Sequence, residues 1–260
     1  MDRKYFNVEV KPVMTPVTAG LHSAFADGDV LFDWTSFEVP RGANRLIGAH
    51  VEMRPKGNAN ADPNQFPLEL LFAKSKTVTA ADGTVTYNAA PSSLGALNSA
   101  ATALTDISSQ AGMYIGHVPI VAADVADIDS LAFASAAAPQ GMVFEGELNT
   151  GSNVGYDTLY VGGIAGGNID FTSLTRINNG DLDGPTMTVN GTDPRLHIAV
   201  GDTVAVTTAA DASITKAMGE VASMTETSIV LTEAFTTADV VHTDFVYNTS
   251  PIRIILSFER

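Results

Sequence analysis

Three groups of residues in this chain have types and spacings that suit metal or acid–base chemistry. Asn179-Gly180-Asp181-Leu182-Asp183-Gly184 places oxygen ligands at alternating positions with a glycine at the turn. That is the front of a calcium loop, since the hard Ca²⁺ ion takes oxygen donors. The fit is incomplete: Asn179 stands where the first acid belongs and Asn190 where the bidentate Glu belongs. The competing explanation is an Asx-rich turn. Asp124, Asp127 and Asp129 form a second oxygen cluster. Glu145 and Glu147 lie two apart, hence on one face of a predicted strand. A glycosidase pair must instead face across a cleft.

Other motifs exclude more chemistry than they offer. The histidines His22, His50, His117, His197 and His242 are widely spaced and form no HxH or HExxH pattern. Each reads as a surface or half-buried residue. Gly162 to Gly167 has neither the GxGxxG spacing of a dinucleotide fold nor the Gly-Lys-Ser/Thr of a P-loop, and it reads as a hinge or bulge. There is no GxSxG elbow. The absence of cysteine removes disulfides, thiolate metal sites and Cys nucleophiles. Asn190-Gly191-Thr192 and Asn248-Thr249-Ser250 match glycosylation sequons, which matter only on a secretory route. No catalytic, cofactor-binding or metal-ligating residue is assigned, and no cofactor is expected.

The elements that would position these groups are strands. Gly201-Asp202 is a turn, and Thr203, Ala205 and Thr207 then alternate with Val204 and Val206. Glu220-Val221-Ala222-Ser223 and Ser228-Ile229-Val230-Leu231 follow after their own turn residues. Short β-rich runs separated by turn chemistry predict a meander in a small barrel or sandwich. Val30 to Val39 predicts a core strand with the only Trp, Trp34, inside it. Further strands are predicted over Phe6 to Val10, Leu46 to Met53, Leu68 to Ala73, Met113 to Val121, Met142 to Gly146 and Thr158 to Val161. Val85 to Tyr87 reads as a short strand. Leu94 to Ile107 is the best helix candidate, with Leu94, Leu97, Ala101 and Leu104 spaced at three and four. Leu131 to Ala138 is ambiguous between a short helix and a loop. Arg54 to Pro67 is long for a connection and is a candidate binding loop. At the C-terminus, Ile252, Ile254, Leu256 and Phe258 share one face of a strand.

These readings give an all-β fold: a jelly-roll-like β-sandwich over residues 1–175 and a small β-barrel or meander module over 176–250. The strand at 251–258 is expected to return to the sandwich, making the barrel an insertion. The N-terminal strand, followed by Pro12 and Pro16, either docks on its own domain, the favoured reading, or clasps a neighbour.

Composition narrows the partners. The chain of 260 residues carries a net charge of −15, and nine acids but no Lys or Arg lie between Thr77 and Thr175. Such a surface repels phosphate backbones, so nucleic acid is excluded as a direct partner. The Ala-rich stretch from Ser130 to Pro139 falls well short of the roughly 20 apolar residues a membrane span needs. The N-terminus MDRKYFNVEV lacks the apolar run of a signal peptide, so synthesis in a cytoplasm without membrane insertion is expected.

The chain resembles accessory virion proteins of tailed bacteriophages, especially of marine hosts. Gly28-Asp29-Val30-Leu31-Phe32-Asp33, Leu68 to Ser75 and Gly201-Asp202-Thr203-Val204 carry the likeness, together with the ending Tyr247 to Phe258. The resemblance implies a non-enzymatic, β-rich protein that decorates or cements a capsid, or belongs to a tail or head fibre that binds receptor or carbohydrate. It also implies a homo-oligomer whose partners are the major capsid protein or other virion proteins, located in the virion after synthesis in the host cytoplasm. It transfers no site residue.

Overall fold

The computed structural model of the chain describes residues 4–14, 20–60, 62, 64, 67–80, 82–102, 110–128, 131–139, 142–146, 155–178, 183–208, 215–236, 240 and 243–260. In chain order the strands are β1 (Tyr5–Val10), β2 (Val30–Pro40), β3 (Asn44–Met53), β4 (Leu68–Lys74), β5 (Lys76–Thr79) and β6 (Val85–Ala89). Then come β7 (Tyr114–Ile120), β8 (Val125–Ile128), β9 (Leu131–Ala137), β10 (Val143–Phe144), β11 (Tyr156–Ala165) and β12 (Arg176–Ile177). The last are β13 (Asp183–Asn190), β14 (Thr203–Thr207), β15 (Thr215–Thr225), β16 (Ser228–Thr236), β17 (Phe245–Asn248) and β18 (Ile252–Glu259). Among the described residues, no helix is long and apolar enough to cross a membrane.

The pairing rule of the two large sheets is simple. One has the order β1-β18-β3-β9, with β8 on its edge and β10 also paired to β3; the other has the order β2-β11-β4-β7. Setting β8, β10 and the insertions aside, the first strand pairs with the last, β1 with β18. The second pairs with the second-last, β2 with β11. The third pairs with the third-last, β3 with β9. The two middle strands, β4 and β7, pair with each other. All are antiparallel, so the chain is one long hairpin rolled over on itself, the jelly-roll topology. The β5–β6 hairpin is inserted between the middle strands. The barrel, closed in the order β12-β13-β16-β15-β14-β17, is inserted before the last strand.

Alternation explains why the rolled sheets face each other. Along β18, Ile252, Ile254, Leu256 and Phe258 are buried, while Arg253, Ile255, Ser257 and Glu259 are half-exposed. Phe144 sits at the centre of the core: its ring meets Phe72 of the opposite sheet at 5.2 Å and Phe258 of its own at 5.4 Å, both edge-to-face. The barrel has its own core of Ile177, Met187, Val189, Val204, Val206 and Ile229, among others. Tyr247 of β17, however, is buried in the sandwich core, so the two modules share apolar packing.

Four expectations are corrected. Trp34 lies on the outer face of β2, half-exposed, with its indole N–H donating to the Ser92 carbonyl at 2.9 Å. The reason is a bulge: four residues of β2, Phe32 to Thr35, oppose three of β11, Val161 to Gly163, which flips Trp34 away from the face that buries Phe32. Gly162 and Gly163 are no hinge but continue β11, and the bulge alternative is the one that holds, with register shifts against β2 on both sides of Gly163. They are glycines because a Cβ would lie 2.5 Å from Leu94 Cδ1 at one and 2.2 Å from Phe32 Cε1 at the other. Residues 94–102 form no helix. Asn98 takes a left-handed φ of 54° and its backbone N–H joins the Val30 carbonyl, which interrupts any helical ladder; 103–109 lie outside the described residues. Finally, Leu131 to Ala137 is neither helix nor loop but β9, with Ala132 and Ala134 buried against β3. Small alanines on the buried face hid the alternation.

Candidate functional site

The groups singled out by sequence are scattered. Residues 179–182 of the calcium-like loop lie outside the described residues, as do Asp129, Glu147 and His242. Asp124 and Asp127 are exposed on the strand edge around β8. Glu145 is exposed and lines a surface cleft of about 350 Å³ with Lys74, Tyr114 and Val143. His22 and His50 are half-buried and His117 is exposed, the last paired with Glu69. Among the described residues, no three His, Cys, Asp or Glu gather to hold a metal ion.

The structure concentrates its polar chemistry elsewhere, at the junction of barrel and sandwich. Arg54 leaves the end of β3 and meets Asp202, in the turn before β14. Arg54 Nε donates to Asp202 Oδ2 at 3.0 Å and Nη2 to Oδ1 at 3.2 Å. Asp202 also accepts from the Ala199 backbone N–H at 2.9 Å and from Asn248 Nδ2 at 2.8 Å. Its side chain is 4% exposed, so the charge is buried and satisfied on both oxygens. Asn248 continues the network: its amide also donates to the His197 carbonyl, and its Oδ1 accepts the Ser250 backbone N–H at 2.9 Å.

His197 departs from the expectation that every histidine is at least half-exposed: it is buried. Its Nε2 lies 2.9 Å from Thr175 Oγ1, which itself donates to the Thr192 carbonyl at 2.8 Å. The threonine's one proton is thus spent, and Nε2 must carry the hydrogen toward it. Burial pushes the imidazole down to about 4, against the opposing pull of Asp193 and Asp202, so the ring is neutral near pH 7. A Thr–His contact has the outline of a nucleophile and its base. Here Thr175 is fully buried and already bonded to a carbonyl, which closes it to any substrate.

The long Arg54 to Pro67 connection belongs to the same junction. The Gly57 N–H donates to the Thr172 carbonyl at 2.9 Å, and its own carbonyl accepts from Leu174 at 2.7 Å. A Cβ at Gly57 would lie 2.9 Å from the His197 ring, so only glycine lets the loop close over it. Asn64 bonds the Asp170 backbone in both directions at 3.0 Å. Burial works against the Asp170 carboxylate, but the Lys56 ion pair and the Thr172 N–H and hydroxyl hold it below the usual carboxylate range. The described residues of this loop therefore clamp the linker to the barrel. By sequence, Gly201-Asp202 reads as a plain turn and Asn248-Thr249-Ser250 as a sequon. The only local signal was an Asp, Asn and Ser grouped at strand ends.

No protein-family model matches this chain, and no curated protein matches it.

Proposed function

We propose that this protein is a non-enzymatic structural component of a virus particle, which decorates or cements a phage capsid through protein–protein contacts. The observation that carries the reading is the junction. The buried polar groups there are used to lock a barrel onto a jelly roll, an arrangement suited to bearing load rather than to turnover. Jelly rolls recur in viral capsid and lectin domains, and the fold alone does not decide between them. The sequence resemblance to accessory virion proteins favours the particle. Mass spectrometry of gradient-purified virions from the encoding phage tests this. Many copies per particle are expected, with a lower rupture temperature when the gene is deleted. Clean particles without the protein would end the reading.

A second reading, a receptor- or carbohydrate-binding sandwich on a fibre, draws on one feature. Tyr114 lies against Trp34 with ring centroids 5.9 Å apart, beside the cleft that holds Lys74 and Glu145. Exposed aromatic faces next to polar groups suit sugar rings. A glycan array with no hits above background would remove it.

A further inference from the structure

The two ends of the jelly roll differ in chemistry. The barrel leaves from one end, and the segment Arg176 to Asn248 carries ten acidic residues against three basic ones. At the opposite end, the start of β1, the end of β2, the start of β3 and the end of β18 bring Lys4, Arg41, Arg45 and Arg260 together, with Glu38 and Glu259 among them. The Arg260 backbone N–H donates to the Lys4 carbonyl at 2.9 Å, and its guanidinium to the Arg41 carbonyl at 2.9 Å. Arg45 lies beside them, 3.5 Å from Glu259, across a shallow cleft of about 240 Å³. The Arg45 side chain of that pair is 51% exposed and the Glu259 side chain 16%, so the arginine presents its outer side to solvent.

Exposed tyrosines follow the same polarity. Tyr5, Tyr87, Tyr114 and Tyr156 are the exposed tyrosines among the described residues. All four sit toward this distal end: Tyr5 and Tyr114 open β1 and β7, Tyr156 opens β11, and Tyr87 stands on the β5–β6 hairpin that extends from it. Tyr and Arg are the residues most enriched where protein interfaces are tightest. The barrel end of the sandwich offers the complement. A cleft of about 350 Å³ there is bordered by Asp27 and Glu69 and has Val121 and Ile164 in its lining.

We propose that copies of this protein associate head to tail, the Tyr- and Arg-bearing distal end of one docking on the acidic barrel end of the next. Unlike ends meet in such a contact, which makes it heterologous. Heterologous contacts close into rings or run on as filaments. The proposal goes beyond the particle reading and holds or fails without it. Each copy carries −15 overall. Salt therefore screens both the repulsion between copies and the local attraction, and salt dependence does not discriminate; exchanging charges does.

The test is sedimentation velocity on three full-length proteins at about 0.1 M salt, where charges are felt over about 10 Å. They are the wild type, an Arg45→Glu/Arg260→Glu variant and an Asp27→Lys/Glu69→Lys variant. The wild type is expected to self-associate, and each variant alone to do so at least tenfold more weakly. An equimolar mixture of the variants restores assembly, because each then meets an opposite charge at both ends. Far-UV circular dichroism reports folding, and Tyr156→Ser, a surface change, provides a fourth protein expected to associate at least tenfold more weakly. A monomeric wild type, an assembly indifferent to both double variants, or a mixture that stays apart overturns the proposal. If the wild type is monomeric but Arg45→Glu/Arg260→Glu no longer binds virions, the distal end serves a different acidic protein, which also overturns it.

Discussion

Arg54 and Asp202, 148 residues apart in sequence, form a two-point ion pair that ties the first residue of the clamp loop to the turn before β14 of the barrel. Both side chains are largely withdrawn from water, at 20% and 4% exposure. Removing the arginine leaves a buried carboxylate with only its Ala199 and Asn248 donors. Arg54→Ala is expected to cost about 3–5 kcal/mol, the penalty of an uncompensated buried charge. Replacing both by apolar residues, Arg54→Met with Asp202→Leu, is expected to cost less than the sum of the single changes. Urea denaturation of the four proteins checks this, and strict additivity would contradict the pairing.

His197 makes stability depend on pH in a defined window. Above the ordinary imidazole value of 6.5 the ring is neutral in both folded and unfolded chains, and its contribution is full. As pH falls from 6.5 toward about 4, the unfolded chain takes up a proton that the buried ring refuses. Stability therefore declines through that window and levels off below it, by roughly 3 kcal/mol in total at 1.36 kcal/mol per unit. The upper half of the window isolates the histidine, because Asp170 and Asp193, held low by their partners, lose their contributions only at more acidic pH. Unfolding free energies of wild type and His197→Gln between pH 7 and 5 are expected to converge as the pH drops. Parallel curves would show that the ring is not the source.

Much of the fold is legible in the residues because strands announce themselves locally. Ile252 to Phe258 alternates cleanly, and the runs around Val204, Val221 and Ile229 became β14, β15 and β16 in meander order. At Gly162–Gly163 and at Leu94 to Leu104 the deciding partner is far away in sequence. Gly162 and Gly163 look like a hinge until the Phe32, Trp34 and Leu94 side chains are set against them. The three-and-four spacing in Leu94 to Leu104 is real, but Asp33 takes the Leu94 N–H at 2.8 Å and Val30 pairs with Asn98 and Ser99. The junction was the least visible part. Its members, Arg54, Thr175, His197, Asp202 and Asn248, come from five separate stretches, and none has a motif that marks it.

Phe144 belongs to a strand of only two residues, yet it joins the two sheets through Phe37, Phe72 and Phe258. It is fully buried, so truncation empties the middle of the sandwich. Phe144→Ala is expected to cost about 3–5 kcal/mol, and Phe144→Leu clearly less. Thermal melts give the order. Near-equal losses for the two would mean that the centre collapses around whatever side chain remains.

Gly28 and Gly191 share a φ of 86° and differ only in their surroundings, so together they separate backbone strain from crowding. A Cβ at Gly28 meets nothing within 4 Å, whereas one at Gly191 would lie 2.2 Å from the Leu174 carbonyl oxygen. Backbone atoms do not step aside as a flexible side chain does, and Leu174 is itself held by its hydrogen bond to Gly57. Gly28→Ala is expected to cost about 1–2 kcal/mol, the price of a left-handed alanine. Gly191→Ala adds overpacking of about 1–3 kcal/mol to the same strain. Because the added crowding pushes on the linker that the clamp loop grips, Gly191→Ala is also expected to raise amide exchange at Gly57 and Leu174, and Gly28→Ala is not. Equal urea midpoints for the two variants would show that the linker yields freely and that the clamp does not hold it.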